Sequence, residues 1–475
     1  MTVGHAVRPQ SLLRRALSII TPLRSLWPGS VDMGSPPPTT SAPPDVLHVP
    51  IPRRGVDYRG KVVLAPMVRS GELPSRLLAL KYGADLVWGP ETVDRSMIGT
   101  TQKTNPRTGC IEWTRISSNN NAKADVPAKE SIIYRIDPKR ESDKLIYQIG
   151  TASPDYAVQA ATLVAPYVRG IDVNAGCPKP FSTSGGMGAA LLRTPDLLCN
   201  ILTALVTKVG IPHEIGISVK IRLLETPELT SELVNKLCKT GIVGLTIHCR
   251  TTPMRPRERA IRDQLRMIGD ICRSHGVACL MNGDVRSRDE GLALAKEYGV
   301  DGAMIATAAE ANSSVFRPKD QGGLAPWQEV VREYLQLAMS VENKFGNTKF
   351  LLSQLIPGKN PVYQLVQMSR SYSGVLEILE ISDQEMVEKA KEIDAILNLD
   401  ASTVRKADIK RQNKQQHKQD VQKKQERKRT LESTNDQQGK DDSPSHERTK
   451  KQKAEIAAEN SGFDGVGQGA MAVAV

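Results

Sequence analysis

Short apolar runs alternate with amphipathic stretches between Lys61 and about Phe316. The apolar runs are Val62–Met67, Asp85–Trp88, Leu145–Ile149, Ile171–Val173, Ile217–Ile221, Leu245–His248, Ala278–Met281 and Ala303–Ile305. Segments between them, such as Pro154–Tyr167, Pro195–Val209, Glu228–Thr240 and Arg288–Tyr298, have helical spacing. Strands that are apolar throughout indicate a parallel sheet covered by helices, and about eight such units predict an α/β fold, a (β/α)8 TIM barrel. An open doubly wound sheet is the alternative, but no GxGxxG follows the first strand.

The interval Ser96–Asp143 interrupts this alternation of predicted strands and helices. It is polar at its centre, Asn119–Asn121, while Ile111–Ile116 and Ser131–Ile136 alternate as strands do. We expect a β-hairpin excursion with a flexible tip at about 96–143. The alternative is a wholly disordered insertion.

The rest of the chain divides by composition. Residues 1–55 hold a basic leader and a Pro-rich linker, and 56–318 hold the predicted barrel. Residues 319–399 have helical patterning only and predict a separate, smaller all-helical domain. Residues 400–475 are rich in Lys, Arg and Gln, which predicts a disordered basic tail that binds phosphates non-specifically or signals nuclear import. The leader, 1–30, is typical of a mitochondrial presequence and equally of a disordered segment.

Charge and cysteine content narrow the class of protein. The 475 residues carry a formal charge of +12 with a pI near 9.3, which indicates a polyanionic partner such as nucleic acid. The seven cysteines contain no C-x-x-C pair, so a reducing compartment, the cytoplasm or also the nucleus, is expected. No apolar run is long enough for a membrane span. The spacing Cys272-x-x-His275-x-x-x-Cys279 resembles a metal site, but no second pair lies nearby and we expect no metal.

One stretch, GIDVNAGCPKPFSTSGGMGAALLR from Gly170 to Arg193, concentrates the candidate chemistry. A strand ends at Asn174, and Gly176 and Pro178 place Cys177 on a loop just beyond it. The following Ser184–Gly188 is expected to form a tight loop with bare backbone N–H groups. Catalytic groups of barrels lie on such loops.

The segment NAGCPKPFSTSGGMGAALL resembles the signature of the tRNA-dihydrouridine synthases, flavoenzymes that reduce a uridine in tRNA. The resemblance covers about Lys61 to Leu397 and is greatest to the eukaryotic branch, in a fungal style, that reduces U20 of the D-loop. It implies that NADPH (or NADH) reduces FMN, that hydride then passes to C6 of a flipped-out uridine, and that Cys177 protonates C5. The implied partner is tRNA, bound to a protein expected to be a monomer.

The same resemblance implies roles for residues at the other strand ends. Pro66, Met67 and Val68 would lie against the flavin, which Gln148, Lys220 and His248 would also contact. Asn174 and Arg222 would face the uridine. Lys220 on a barrel strand is also compatible with a Schiff-base aldolase, although that reading leaves Cys177 and Gln148 without a role.

The last two strand ends would hold the FMN phosphate. The residues concerned are Asn282, Gly283, Asp284, Ala306 and Thr307. Many family members have glycine where Asp284 stands and arginine where Thr307 stands, so the phosphate contacts here remain open. The basic loop Arg250–Arg259, with Arg250 and Arg255, is expected to clamp RNA phosphates.

Two other classes of function stay open on the sequence. One is a small-molecule flavin oxidoreductase of the dihydroorotate-dehydrogenase type, against which the basic tail and helical segment argue. The other is a non-catalytic RNA-binding protein that keeps the fold. Affinity for tRNA would argue against the small-molecule flavin oxidoreductase, and a bound flavin would argue against the non-catalytic RNA-binding protein.

Overall fold

The computed structural model describes residues 50–116 and 130–399. Nearly all of the leader and linker, the tip around Asn119–Asn121 and the basic tail lie outside the described residues. The predictions made for those segments therefore stay predictions.

Two sheets are present in the described residues. Their strands are β1 Val62–Leu64, β2 Val87–Trp88, β3 Thr92–Val93, β4 Thr101–Thr104, β5 Ile111–Ile116, β6 Glu130–Ile136, β7 Leu145–Gly150, β8 Gly170–Ala175, β9 Gly216–Arg222, β10 Gly244–His248, β11 Ala278–Asn282 and β12 Gly302–Ile305. Each of the eight predicted apolar runs overlaps one strand of the larger sheet. Their side chains are buried because the strands are covered by helices on one side and by each other on the other.

The larger sheet closes into a parallel barrel. Eight of its nine strands form the barrel in the order β2-β1-β12-β11-β10-β9-β8-β7, and β2 pairs with β7 through Val87 and Leu145. The ninth, the two-residue strand β3, pairs in parallel with the end of β7. At the other seam, Leu64 of β1 lies in register with Ile305 of β12. The predicted eight-stranded barrel is confirmed, and the open-sheet alternative is wrong. All eight strands run in the same sense, so their carboxyl ends meet at one face.

The helices follow the predicted amphipathic segments. They are α1 Leu73–Lys81, α2 Asp94–Met97, α3 Pro154–Val164, α4 Pro180–Thr183, α5 Pro195–Leu205, α6 Ile211–His213, α7 Pro227–Cys238, α8 Leu265–Ser274, α9 Arg288–Tyr298, α10 Thr307–Ala311, α11 Trp327–Ser340, α12 Phe345–Leu355, α13 Val362–Met368, α14 Tyr372–Ile378 and α15 Gln384–Ile396. Several begin where the sequence supplies a cap. Ser153, Thr226 and Ser287 each accept a first-turn N–H with the side-chain oxygen, which satisfies a donor that has no partner inside the helix.

The excursion is an antiparallel sheet of three strands, β4-β5-β6. The predicted hairpin of β5 and β6 is confirmed, and the wholly disordered alternative is wrong. The third strand, β4, is missing from the prediction because all four of its side chains are exposed and none gives an apolar signal. Buried Arg76 of α1 anchors the sheet, because it donates to the Arg135 carbonyl of β6 at 2.8 Å and pairs at 2.7 Å with the equally buried Glu141 just beyond that strand.

The excursion also contacts the helices at the end of the chain. Glu342 accepts hydrogen bonds from Asn105 at 3.0 Å and from Arg107 at 2.7 Å, and Arg135 donates to the Val341 carbonyl at 2.5 Å. One apolar core continues from the barrel into helices α11–α15. The predicted helical segment is thus present, in contact with both the barrel and the excursion.

Candidate active site

A cleft of about 320 Å³ opens among the carboxyl ends of the barrel strands. It collects most of the sequence-predicted site residues: Pro66, Met67, Val68, Gln148, Asn174, Cys177, Lys220, Arg222, His248, Asn282, Ala306 and Thr307. Eight further residues line the cleft and are not among the predicted site residues: Ala65, Ser70, Glu91, Gly176, Pro178, Lys179, Phe181 and Glu310. Gly283, Asp284, Arg250 and Arg255 are predicted site residues that do not belong to the cleft lining.

The loop that carries Cys177 is fixed from both sides. Asn174 accepts hydrogen bonds through Oδ1 from the N–H groups of Gly176, at 3.0 Å, and Cys177, at 3.2 Å. On the other side Ala189 N–H donates to the Cys177 carbonyl at 2.9 Å. Gly188 has a φ of +59°, and a Cβ there would lie 2.6 Å from the Cys177 carbonyl oxygen. Glycine is therefore required for this close approach.

The glycine-rich loop differs from its predicted role. The N–H groups of Ser184, Gly186 and Met187 donate to the carbonyls of Pro180, Thr183 and Ser182. The expectation of bare N–H groups is thus wrong for these three, because the loop closes on itself. Its role in the site is to support the Cys177 loop.

Glu91 is the most informative of the missed residues. It follows Gly89-Pro90 at the end of β2, and its Oε1 accepts a hydrogen bond from Ser182 at 3.1 Å. Burial raises the pKa of Glu91, opposed by interactions with Ser182 and Asn174. A carboxylate immediately after a Gly-Pro strand end is the signal that could have identified it.

The surroundings of Cys177 keep its sulfur protonated. Burial raises the pKa of the thiol, and the negative charge of Glu91 adds to that rise. The Lys179 backbone and the charges of Lys179 and Arg222 act in the opposite direction, but the net shift is upward. A thiol of this kind is suited to donating a proton and poorly suited to nucleophilic attack.

A buried carboxylate beneath the cleft orients Gln148. Asp172 is inaccessible to solvent and accepts hydrogen bonds from Gln148 Nε2 at 2.8 Å and Ser218 Oγ at 2.7 Å. Burial raises its pKa to about 6, against the effect of those bonds and of Lys220. Because Gln148 Nε2 donates to Asp172, this buried hydrogen bond determines the orientation of the Gln148 amide at the cleft.

Lys220 lies at the centre of the cleft wall. Its Nζ donates to Asn282 Oδ1 at 3.0 Å, and the Asn282 amide donates in turn to the Met304 carbonyl at 2.9 Å. Burial, followed by the charge of Arg222, lowers the pKa of Lys220 to about 8. A buried ammonium hydrogen-bonded to a neutral amide fits a ligand that brings negative charge.

His248 is a neutral imidazole. Burial and the nearby cations Lys220, Arg222 and Arg250 lower its pKa to about 2. Arg250 Nη1 lies 3.3 Å from His248 Nε2, and because a guanidinium can only donate, Nε2 is the acceptor and Nδ1 carries the proton. The histidine thus offers an N–H donor or an imidazole edge, and no positive charge.

Arg250 does not fit the predicted phosphate clamp, because it is buried and its donors are occupied. It pairs with Asp284 at 2.6 Å and also donates to the carbonyls of Glu258 and Pro256. Asp284 adopts the left-handed conformation, φ +51°, and its other oxygen accepts from Ala260 N–H at 2.8 Å. Burial alone would raise the pKa of Asp284, but Arg250 and Ala260 N–H bring it below its ordinary value. Both residues therefore hold the 250–262 loop.

Arg222 and Arg255 occupy different positions. Arg222 lines the cleft and donates to the Gly176 carbonyl at 2.7 Å and to the Thr251 carbonyl at 3.0 Å, which ties the cysteine loop to the basic loop. Arg255, Arg257 and Arg259 are exposed on the basic loop, outside the cleft. The clamp prediction stays open for these exposed residues.

Neither a metal cluster nor a membrane helix occurs in residues 50–116 and 130–399. No group of three His, Cys, Asp or Glu side chains there is arranged to hold an ion. Cys272 contacts the buried thiol of Cys238 at 3.9 Å. No helix in this part of the chain is both long and apolar enough to cross a bilayer.

The arrangement joins a proton-donating thiol, an ammonium, a neutral histidine and two oriented amides around one cleft of a parallel barrel. A family model described as dihydrouridine synthase (Dus) matches residues 63–458, which includes all of these groups. The chain belongs to the dihydrouridine synthase family. The resemblance read from the Cys177 segment is confirmed.

Curated relatives in the family extend this result. A protein of Schizosaccharomyces pombe named tRNA-dihydrouridine(20) synthase [NAD(P)+] is 48% identical over 331 residues, which cover 69% of this chain and 66% of that protein. The Saccharomyces cerevisiae protein of the same name is 45% identical over 337 residues, covering 68% of this chain and 84% of the relative. Among solved structures, DHODH from Eimeria tenella in complex with ferulenol gives a TM-score of 0.34 at 13% identity, covering 61% of this chain and 84% of that chain.

Proposed function

We propose that this protein is a tRNA-dihydrouridine(20) synthase that uses FMN and NAD(P)H to reduce the C5–C6 bond of a D-loop uridine. The observation that carries the proposal is the convergence of Cys177, Lys220, His248 and Gln148 on one cleft. Support comes from family membership and from the two fungal relatives that bear this name.

The residues present fit a flavin. The backbone of Pro66–Val68 and Ala306 offers a wall for a flat ring, and Gln148 and Asn282 present oriented amides. The Lys220 ammonium matches the negative charge of a reduced ring. When bound, FMN supplies the hydride that adds to one carbon of the uracil double bond, with NAD(P)H as the source of electrons.

The chain's own residues supply the proton and the geometry. Cys177 donates its proton to C5, so hydride and proton together saturate the bond and leave a thiolate that solvent reprotonates. Glu91 opposes ionisation of this thiol beforehand, and Asn174 and Gly188 fix its position. Arg222 offers donors for the uracil carbonyls, and neutral His248 adds no further positive charge to that of Lys220 and Arg222.

The test is dihydrouridine formation in a tRNA transcript that lacks modification. The purified full chain, FMN and NADPH are incubated with the transcript, and the product is mapped by mass spectrometry. We expect reduction at U20, and a loss of roughly 10²–10⁴ in rate for Cys177→Ala with FMN still bound. No dihydrouridine in tRNA, or equal turnover by the alanine variant, would refute the proposal. Absence of tRNA affinity would favour a small-molecule flavoenzyme instead.

A further inference from the structure

A group of unpaired cations lies at the edge of the cleft where the barrel meets the helices. We call it the rim cluster, and it consists of Arg69, Lys349 and Arg370, with Phe350 as its apolar support. Arg69 stands between the lining residues Val68 and Ser70, and the other members lie on or near α12. None of the three cations lines the cleft itself.

Arg69 is held in an unusual conformation. Its φ is +74°, a region that residues with a Cβ rarely occupy. The turn around it is closed by Gly71 N–H donating to the Met67 carbonyl at 2.7 Å, and Ser70 is anchored by its hydroxyl to Glu310. Such strained conformations persist where surrounding structure imposes them, and they occur preferentially at functional sites.

The guanidinium of Arg69 is held in position by an aromatic ring, but its N–H donors have no partner among the described residues. Its Cζ lies 4.0 Å above the centre of the Phe350 ring, so one face of the group is stacked. In the described part of the chain it has no ion pair and no hydrogen bond. A guanidinium stacked by its face keeps its N–H edge free, and that edge matches two oxygens of a phosphate.

The other two cations show the same lack of a counter-charge. Burial lowers the pKa of Lys349, and the positive charge of Arg370 lowers it further, with no carboxylate acting in the opposite direction. Lys349 Nζ donates only to the Ser369 carbonyl, at 3.2 Å. Arg370 is exposed and, among the described residues, makes no ion pair. Three cations of this kind favour an anion that bridges the barrel and the helices.

We infer that the rim cluster binds the backbone phosphates of the RNA substrate next to the nucleotide that enters the cleft. This inference rests on the proposed function and deepens it. A polynucleotide whose base reaches Cys177 must cross the edge of the cleft, and the cluster spans the two parts of the fold at that edge. The contact is with phosphate and carries no base specificity, so it sets position and affinity.

The test measures the salt dependence of binding of an unmodified tRNA transcript to the FMN-loaded full chain. Each lost phosphate contact reduces the slope of log K against log[salt] by about 0.7 to 0.9. We expect this reduction for Arg69→Asn, since Asn tolerates the left-handed conformation, and separately for Arg370→Gln. Arg69→Lys should keep most of the slope. The matched control is Arg332→Gln, an exposed helical arginine that is already paired with Asp383 at 2.7 Å.

Several results would overturn the inference. Unchanged slopes in both Arg69→Asn and Arg370→Gln would do so, as would an equal change in the Arg332→Gln control. An effect confined to the KM for NADPH would show that the cluster binds the dinucleotide phosphate instead. FMN content and melting temperature exclude misfolding, and the two variants lie on different parts of the chain. If wild type binds tRNA without forming dihydrouridine, the proposed function fails while the slopes still decide this inference.

Discussion

Replacing the buried Asp172 by Asn should change how the stability of the protein depends on pH. The two side chains have the same size, and only Asp can ionise. Asn would leave one of the donors Gln148 Nε2 and Ser218 Oγ without its acceptor, which is a cost independent of pH. The pH-dependent part of the difference between the two proteins therefore reports the ionisation of Asp172.

The size of the effect follows from the pKa. Burial raises it from 3.8 to about 6, a difference of about 2 units, worth about 3 kcal/mol. Above pH 3.8 the unfolded chain loses this proton before the folded protein does. The folded state then binds more protons, so wild type loses stability relative to Asp172→Asn as the pH rises from about 4 to about 6, and the difference is constant above that. Between pH 5 and 7.5 the expected loss is about 1.4 kcal/mol.

The assay is urea denaturation of both full chains at intervals from pH 5 to 7.5, followed by circular dichroism. Titrating groups distant from Asp172 cancel in the difference because both proteins contain them. Lys220, whose pKa of about 8 is raised in part by Asp172, contributes mainly at the upper end of the pH range. A difference that does not vary with pH would refute the argument. So would wild type gaining stability as the pH rises, because Gln148, Ser218 and Lys220 would then hold the carboxylate below its ordinary pKa.

Three further outcomes follow from the site. Glu91→Gln should lower the pKa of the Cys177 thiol, seen as a downward shift in the pH profile of its alkylation by iodoacetamide. Ser182→Ala keeps the charge of Glu91 and should leave the midpoint in place, and equal midpoints in all three proteins, with Cys199 as the internal reference, would contradict this. Gly188→Ala should displace the Cys177 loop and reduce dihydrouridine formation with FMN retained. Gly185→Ala should be tolerated, because the nearest atom to its Cβ would be the end of the flexible Met187 side chain at 3.3 Å. Arg250→Ala should loosen the 250–262 loop and lower stability by about 1–3 kcal/mol, measured by thermal unfolding and limited proteolysis, and resistance of that loop to protease would argue against the role assigned to Arg250.

The sequence predicts the barrel well because its signal is local. Each buried strand is an uninterrupted apolar run, and eight of them identify the architecture. The same local signal gives no indication of the role of Asp172, because a single carboxylate inside an apolar run is interpreted only as part of a strand. Its role depends on Gln148 and Ser218, which are distant in sequence and meet only when β7, β8 and β9 pair.

The site shows the same division between local and distant information. Cys177, Lys220 and His248 could be placed because each lies within or just after a predicted strand and matches a family motif. Arg250 could not be placed, because its partner Asp284 is 34 residues away and converts an expected surface cation into a buried support. Helix α14 is too short for a clear period, and β4 has no apolar side that could reveal it.

The contacts of the excursion with Glu342 bear on how the chain folds during synthesis. Arg107 and Glu342 are separated by 235 positions, so the excursion leaves the ribosome long before its partner exists. At roughly 5–20 residues per second, the delay is about 10–50 s. During that time Asn105 and Arg107 have no acceptor from the helices, and the edge of the small sheet is open to other chains. Nascent protein halted before Glu342 should therefore be a better chaperone client than nascent protein halted after α15.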